Sequence, residues 1–429
     1  MEPITNQSIA ESSQQHEKIR PQISLYKSIR VLYRVIPYFI LMKLFKNTST
    51  IKMNLTPFFA NTHYTPAFSH FKLLFKVLDS WKSSSKNLAL DFSRCGVFEI
   101  RYAKKLSQRL QKFIALESLN FNFSYSSSLT PKCIDALSFN FSKQKSLKKL
   151  HFNWSQCAYM NQESIAKLLR NIKRSNSLSH LNMDFSECPN FDGIALQVLS
   201  NNLTNHKNLQ ALILRFHLDQ KLDPQGLKSL AKNLKHLSKL TRLNLKFSKL
   251  YKTLDQGFYR EFFKSLKAMK NLQDLSLDLS CLQTTIKGGE ENPFGMLQEN
   301  TQLRNLKIIL DYFVGSLEPV IDGLSQSFPK LEKLEYIELQ FCQVRDLNDS
   351  SIKSLCEGLI QMKSLKELNL GFPQCRELTD ASIESLIIAL KEVKSLEKLT
   401  LNIQLVNGIS RTADRKLRNN LKDIEVKIR

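Results

Sequence analysis

A period of 31 residues runs through most of this 429-residue chain and restricts its fold more than any other feature. The pattern Leu-x-x-Leu-x-apolar-x-aromatic occupies residues 116–123, 147–154, 178–185 and 240–247. We take the second leucine-type position of this pattern as the marker of each repeat. Successive markers are 31 or 32 residues apart, except for a final interval of 25. The markers are Leu88, Leu119, Leu150, Leu181, Leu212, Leu243, Leu275, Leu306, Ile337, Leu368, Leu399 and Ile424. Such a period is typical of a solenoid, in which one supersecondary unit is stacked on the next.

Each unit contains two different hydrophobic periods. Around each marker, apolar and polar residues alternate over about five positions, which predicts a strand. Between markers the apolar spacing becomes that of one helix face, and side chains that can cap a helix precede it. The predicted caps are Thr130, Asn161, Asp192, Asp223 and Asp380. The chain is therefore predicted to be an α/β solenoid with a parallel concave sheet of about twelve strands and helices on the convex side.

The repeats resemble the leucine-rich repeat family. The sequence QGLKSLAKNL at 225–234, followed by LSKLTRLNL at 237–245, is most similar to the ribonuclease-inhibitor-like class, whose units contain a full helix. The resemblance covers roughly residues 87–429, as about eleven repeats and a closing strand, and it implies a horseshoe. It does not imply a function, because the family is defined by its architecture.

One position departs from the family in most units. Where the family usually has Asn or Cys at the end of the strand, this chain has Ser93, Ser124, Ser155, Ser186, Ser248 and Ser280. The residue before it is bulky and apolar in every unit, which favours stacking in the core over an exposed stripe for a partner. That row is Phe92, Phe123, Trp154, Phe185, Phe216, Phe247, Leu279, Leu310, Phe341, Phe372 and Ile403.

Four of the eight cysteines share one position in the repeat. Other units place Leu or Val there, so the position is predicted to be apolar and buried, with the thiol acting as a small hydrophobe. These cysteines are Cys95, Cys157, Cys188 and Cys375. No CxxC pair occurs, which argues against the usual zinc and redox spacings, and cysteine is too sparse for a disulfide scaffold.

The concave surface is the first candidate for binding. Alternate side chains of a strand point to opposite faces, so the residues one and three positions after each marker should share this surface. In the middle repeats they are mostly neutral and polar, without the aromatic concentration of a typical protein hot spot. The predicted partner-binding residues are Asn122, His151, Asn153, Asn182, Asp184, Arg215, Asn244 and Lys246.

Positive charge offers a second candidate surface. The net charge of +23 divides into +8 in residues 1–86, +15 in residues 87–250 and zero in residues 251–429. An excess in the first 250 residues favours an acidic protein surface or a nucleic acid as partner. Lys outnumbers Arg by 44 to 18, which favours diffuse attraction and also fits a compositional bias. The predicted basic outer face contains Lys104, Lys105, Lys173, Arg174, Lys232 and Lys235.

Catalytic chemistry has little support in the sequence. His151, His180 and Asp184 are expected near each other on adjacent strands, but such a group in a long polar column is interpreted as ordinary surface. No glycine-rich phosphate loop is present. We therefore expect no enzyme activity, no cofactor, no metal and no small-molecule substrate.

The N-terminal region differs from the repeats. Residues 1–22 are polar and predicted to be disordered, without the features of a signal or transit peptide. Residues 23–86 are predicted to form a helical cap and a degenerate first repeat, although the helix over 25–36 could instead bind a membrane surface or a partner groove. Residues 35–42 are too short to span a bilayer. Residues 36–45 faintly resemble the opening of an F-box, the adaptor-binding module of ubiquitin ligase receptors.

These features together favour a non-catalytic scaffold that binds a protein partner through the repeat arc. The alternatives are a nucleic-acid or acidic-polymer binder that uses residues 1–250, and an F-box-like substrate receptor of a ubiquitin ligase. The sparse cysteines and polar N-terminus predict a location in the cytoplasm or the nucleus.

Overall fold

The computed structural model describes residues 50–54, 67–81, 85–138, 144–172, 177–217, 222–249, 253–254, 256–281, 283–284, 292–422 and 424–428. The chain divides into two units, Met1–Phe45 and Lys46–Arg429, and all that follows concerns the second. The expectations for residues 1–22, for the helix over 25–36 and for the F-box-like stretch lie outside the described residues.

In the described part of the chain, thirteen strands form one parallel sheet, and neighbouring strands follow each other along the chain. The strands of this sheet are β1 (Thr50–Asn54), β2 (Asn87–Asp91), β3 (Ser118–Asn122), β4 (Lys149–Asn153), β5 (His180–Asp184), β6 (Ala211–Arg215), β7 (Arg242–Lys246), β9 (Asp274–Asp278), β11 (Asn305–Ile309), β12 (Tyr336–Gln340), β13 (Glu367–Gly371), β14 (Lys398–Asn402) and β15 (Glu425–Ile428). Two short strands, β8 (Thr253–Leu254) and β10 (Gln283–Thr284), pair separately.

Helices connect successive strands and pack side by side, each against the helix of the next unit. They are α1 (Ala67–Trp81), α2 (Ile100–Leu110), α3 (Pro131–Ser138), α4 (Gln162–Ile172), α5 (Gly193–Leu203), α6 (Pro224–Asn233), α7 (Gln256–Ala268), α8 (Glu318–Ser327), α9 (Asp349–Leu359), α10 (Asp380–Glu392) and α11 (Arg411–Asn420). Short 3-10 helices occur at Leu234–His236, Phe294–Glu299 and Phe328–Lys330. The predicted α/β repeat architecture is confirmed. No helix in the described ranges is long and apolar enough to cross a membrane.

The register follows the markers from Leu88 to Leu399, which pair directly across successive strands. Both ends differ from the expectation. At the N-terminal end, Ile51 pairs with Leu88, so a thirteenth strand joins the sheet. At the C-terminal end, Val426 and not Ile424 pairs with Leu399. Alternating apolar residues allow both registers, and the backbone bond from Glu425 N–H to the Glu397 carbonyl selects the observed one.

Strand β1 and helix α1 together form a strand–helix unit like those that follow. The ring of Phe71 stacks on Tyr102 of α2, with centroids 3.8 Å apart. Arg109 forms an ion pair of 3.1 Å with Asp79, and its guanidinium lies 4.5 Å from the centroid of Phe75. Helix α1 therefore packs against the first regular repeat through an aromatic stack and a partly buried ion pair.

A tight turn follows ten of the described strands, and its second residue adopts a left-handed conformation without being glycine. These residues lie six positions after the marker, with φ between 53° and 61°: Arg94, Tyr125, Gln156, Glu187, Lys249, Cys281, Tyr312, Gln343, Gln374 and Leu405. The conformation points the amide of each residue at the next repeat, as in the bond of 2.8 Å from Arg94 N–H to the Ser124 carbonyl. The turn therefore extends the hydrogen-bond ladder beyond the strands.

The aromatic row is core, as predicted. Its members from Phe92 to Phe372 are buried, and Ile403 is partly buried. Rings of successive repeats lie nearly parallel, with centroids 5.1 Å apart for Phe92 and Phe123 and 5.6 Å apart for Phe216 and Phe247. Each unit therefore contacts the next through stacked side chains as well as through the backbone.

Four of the predicted helix caps are confirmed, and one is wrong. Asp192 and Asp223 accept hydrogen bonds from the amides of Ala195 and Gly226, and Asn161 and Thr130 act alike. Helix α10 is capped by Thr379, whose side chain accepts from the Ala381 amide. Asp380 is already helical. Its carboxylate instead accepts two bonds from Ser410 of the following repeat, which explains why the helix starts earlier.

The four cysteines of the shared position are buried, as predicted, but their thiols are not purely apolar fillers. The Sγ atoms of Cys157, Cys188 and Cys375 donate to carbonyls of the preceding repeat over 3.1, 3.0 and 2.8 Å. Ser126 occupies the same position and donates to the Phe92 carbonyl over 2.9 Å. In these four units the position therefore holds a small donor that joins neighbouring turns, which the Leu or Val of other units cannot do.

We expect these thiols to resist alkylation in the folded protein. Burial raises the pKa of Cys157 to about 12, which leaves on the order of 1,000-fold less thiolate than an ordinary cysteine. Timed labelling followed by mass spectrometry should modify the half-buried Cys342 first, and Cys157 and Cys188 only on unfolding. Labelling of Cys157 or Cys188 as fast as Cys342 would contradict the assignment.

Acid should destabilise the protein partly through His206, which is 4% exposed and whose Nε2 has no hydrogen-bond partner among the described residues. Burial lowers the pKa of His206, so the folded state keeps the imidazole neutral while the unfolded chain binds a proton near pH 6.5. The free energy of unfolding should therefore fall below about pH 6.5, by up to about 1.4 kcal/mol per pH unit from this group.

The replacement His206→Leu should reduce this pH dependence, because Leu237 fills the equivalent position one repeat later. The matched control is His236→Gln, since His236 is exposed. Denaturant unfolding at pH 5 and pH 7 measures the effect. Equal pH dependence in the His206→Leu variant and the original chain would rule out this role for His206.

Candidate functional site

The eight predicted partner-binding residues lie on strands β3 to β7, on the face of the sheet opposite the buried marker residues. All eight are half-buried, because their neighbours on adjacent strands partly cover them. We call this surface, the solvent-facing side of β3–β7, the open face. The strand pairing therefore brings the eight residues together as the sequence predicted.

Three of the eight residues also have a structural role that sequence reasoning missed. The Oδ1 atoms of Asn122, Asn153 and Asp184 accept hydrogen bonds of 3.1, 2.9 and 3.0 Å from the amide two residues later. The same bond occurs at Asp91, Asp278 and Asn402. These Asx turns fix the backbone of the turn residue that donates the bond. In the leucine-rich repeat family, that position is usually Asn or Cys. The sequence signal was an Asn or Asp two positions before the turn serine.

The free energy of unfolding should distinguish Asn side chains that stabilise a turn on this face from Asn side chains that do not. We expect Asn153→Ala to lower the free energy of unfolding by about 1 kcal/mol, because it removes the bond to the Ser155 amide. Asn244→Ala is the matched control and should change it by less than about 0.5 kcal/mol, since no side-chain bond of Asn244 is seen in the described structure. Equal losses in denaturant unfolding would show that the Asx bond contributes nothing.

A short hydrogen-bond chain crosses the centre of the open face. Arg215 donates from Nη1 to Asn182 Oδ1 over 2.9 Å, and Asn182 Nδ2 donates to His151 Nδ1 over 3.3 Å. Burial and the charge of Arg215 lower the pKa of His151, and Asp184 partly opposes this shift. A neutral His151 suits the chain, because its Nδ1 must accept. The side chains of His151, Asn182 and Arg215, which lie on β4, β5 and β6, therefore hold one another in position.

The charge of the open face changes at the boundary between β7 and β9. Lys246 lies 3.7 Å from Asp278, and Arg242 lies 3.2 Å from Asp274. Farther along, Lys307 pairs with Glu338 and Lys398 with Glu367, both over 2.8 Å. A polar depression of about 330 Å³ lies beside these pairs, lined by Glu338, Gln340, Glu367, Asn369, Lys398, Thr400, Asn402 and Lys427. By contrast, Arg215 forms no ion pair with any residue that the structure describes.

A third column on this face was not predicted. It consists of the residue before each marker, and in β4, β5 and β7 it contributes Lys149, His180 and Arg242. Burial lowers the pKa of His180, and the charges of Lys149 and Arg242 lower it further. The signal was present in the sequence, because the alternation around each marker continues one residue upstream.

The described residues of the predicted basic outer face occupy both helices and the connections that follow them. Lys104 and Lys105 are exposed on α2, Lys232 is exposed on α6, and Lys235 lies in the 3-10 helix that leads towards β7. Lys173 and Arg174 lie outside the described residues. The spacing of these basic residues in the sequence did not show which of them lie in the middle of a helix and which lie at its end.

The described residues hold no group of three or more metal-ligating side chains that could bind an ion. His151 and His180 lie in different columns, and each bonds to another partner, Asn182 and Ser179 respectively. What the open face offers chemically is therefore hydrogen bonding by amides and an imidazole next to guanidinium and ammonium groups.

No protein-family model and no curated protein matches this chain at a significant level.

Proposed function

We propose that this chain is a leucine-rich repeat protein of the ribonuclease-inhibitor-like class and a non-catalytic scaffold that binds a protein partner through the open face. The repeats support the class through their length, their full helices and their parallel strands. The single observation that carries the binding role is the oriented chain of His151, Asn182 and Arg215 on the open face.

Pre-organised side chains favour binding because less conformational entropy is lost when a partner docks. Arg is enriched at protein hot spots, and Arg215 has donors left for a partner carboxylate or carbonyl. The open face measures roughly 24 by 16 Å from strand spacing and rise, about half of the ~800 Å² that a standard interface buries on each partner. The partner must therefore also contact neighbouring strands or an edge of the sheet.

Quantitative affinity purification tests this role. Proteins retained by the original chain should be depleted at least about tenfold by Arg215→Ala combined with Asn182→Ala, in line with the loss of one hot spot. The matched control combines Lys104→Ala and Lys353→Ala, two exposed helix positions away from this face. Both variants must keep the original melting temperature. An unchanged set of proteins with the open-face variant would refute the proposal.

A further inference from the structure

A group of exposed basic residues lies along one edge of the described solenoid in its first half. This edge is where each helix leads into the next strand, and we define the basic edge as residues 111–118, 144–149, 177–180, 204–211 and 235–242. Within these residues the exposed cations are Lys112, Lys145, Lys148, Lys149, Lys207, Lys235, Lys239 and Arg242. The only carboxylate there is Glu117.

Backbone and side-chain contacts show that these stretches are neighbours. The amides of Lys148, Ser179, Gln210 and Thr241 each donate to the carbonyl at the equivalent position one repeat earlier, over 2.7 to 2.9 Å. Lys148 reaches Glu117 over 2.9 Å, and Lys239 donates to Asn208 over 2.8 Å. The cations therefore lie along one edge, in four of these five stretches.

The same edge carries more carboxylates in the second half of the solenoid. There Glu299 pairs with Lys267 and Lys270, and Glu335 pairs with Arg304 and Lys366. In the first half, Glu117 pairs with Lys86 and Lys148, Asp79 pairs with Lys112, and Asp274 of β9 pairs with Arg242. Lys145, Lys149, Lys207 and Lys235 form no ion pair with the described residues. The first half of the edge therefore keeps its charge.

Helix dipoles do not account for this difference. Cations near a helix C-terminus are stabilising, and every repeat ends a helix at this edge, so lysine is favoured in both halves. That preference gives no reason for carboxylates to be frequent in one half and nearly missing in the other. Because uncompensated like charges repel each other, a ligand that neutralises them would bind favourably.

We propose that the basic edge binds the phosphodiester backbone of a nucleic acid. Seven of the eight cations are lysines, which act as point charges and suit diffuse attraction to the regularly repeated phosphates of a nucleic-acid backbone. A membrane surface fits less well, because Ile114 is the one large apolar side chain exposed along the described edge. This proposal is independent of the protein-binding role of the open face.

Fluorescence anisotropy with the full chain and a labelled single-stranded RNA of about 20 nucleotides tests the proposal. The edge variant combines Lys145→Gln, Lys149→Gln, Lys207→Gln and Lys235→Gln. Between about 50 and 200 mM salt, the slope of log Kobs against log salt should become shallower by about 3, at roughly 0.7 for each lost contact. Affinity at 50 mM salt should fall at least about 30-fold.

The matched control combines Lys104→Gln, Lys132→Gln, Lys264→Gln and Lys353→Gln, four exposed lysines away from the edge that change the net charge equally. It should stay within about threefold of the original chain. Single-stranded and double-stranded DNA in the same assay identify which phosphodiester binds best. The proposal is overturned if both variants lose affinity equally, if the original chain does not bind, or if polyglutamate or phosphatidylserine vesicles bind more tightly than every nucleic acid.

Discussion

The backbone ladder between successive repeats is the constraint on which the rest of the structure depends. Marker residues pair in one register from Leu88 to Leu399, and the left-handed residue of each turn extends the ladder by one more bond. This register aligns the aromatic row so that rings stack, and it places the thiols of Cys157 and Cys188 against carbonyls of the preceding repeat. Each unit thus buries its core only against its neighbours, which couples the repeats energetically.

The same register determines which surfaces are left for binding. Every second residue of a strand packs in the core against the helices, so the remaining strand residues form the open face. On that face, Asn153 and its equivalents also accept the hydrogen bond that stabilises the following turn. Helix C-termini and strand starts meet at one edge in the described repeats, so a bias towards lysine in these segments concentrates positive charge along that edge. The two candidate surfaces adjoin at β4 and β7 through Lys149 and Arg242.

The repeat pattern predicted the sheet, the helices and the buried rows, because periodic burial is encoded locally. The errors arose where local signals were ambiguous. Alternating apolar residues allowed Ile424 or Val426 as the last marker, and two adjacent capping residues allowed Asp380 or Thr379. The eight open-face residues were found, but their inter-residue bonds were not, because Arg215 and Asn182 lie one repeat apart in the chain.

The sequence by itself determined the repeat, its register through most of the chain and the total excess of positive charge. Only the tertiary structure decided which residues of different repeats meet. It oriented His151 through Asn182 and Arg215. It also paired Lys270 and Lys366 with carboxylates, whereas Lys149 and Lys207 form no ion pair among the described residues. The physical reason is that hydrogen bonds and ion pairs depend on distances between atoms, and stacking places residues about 31 positions apart side by side.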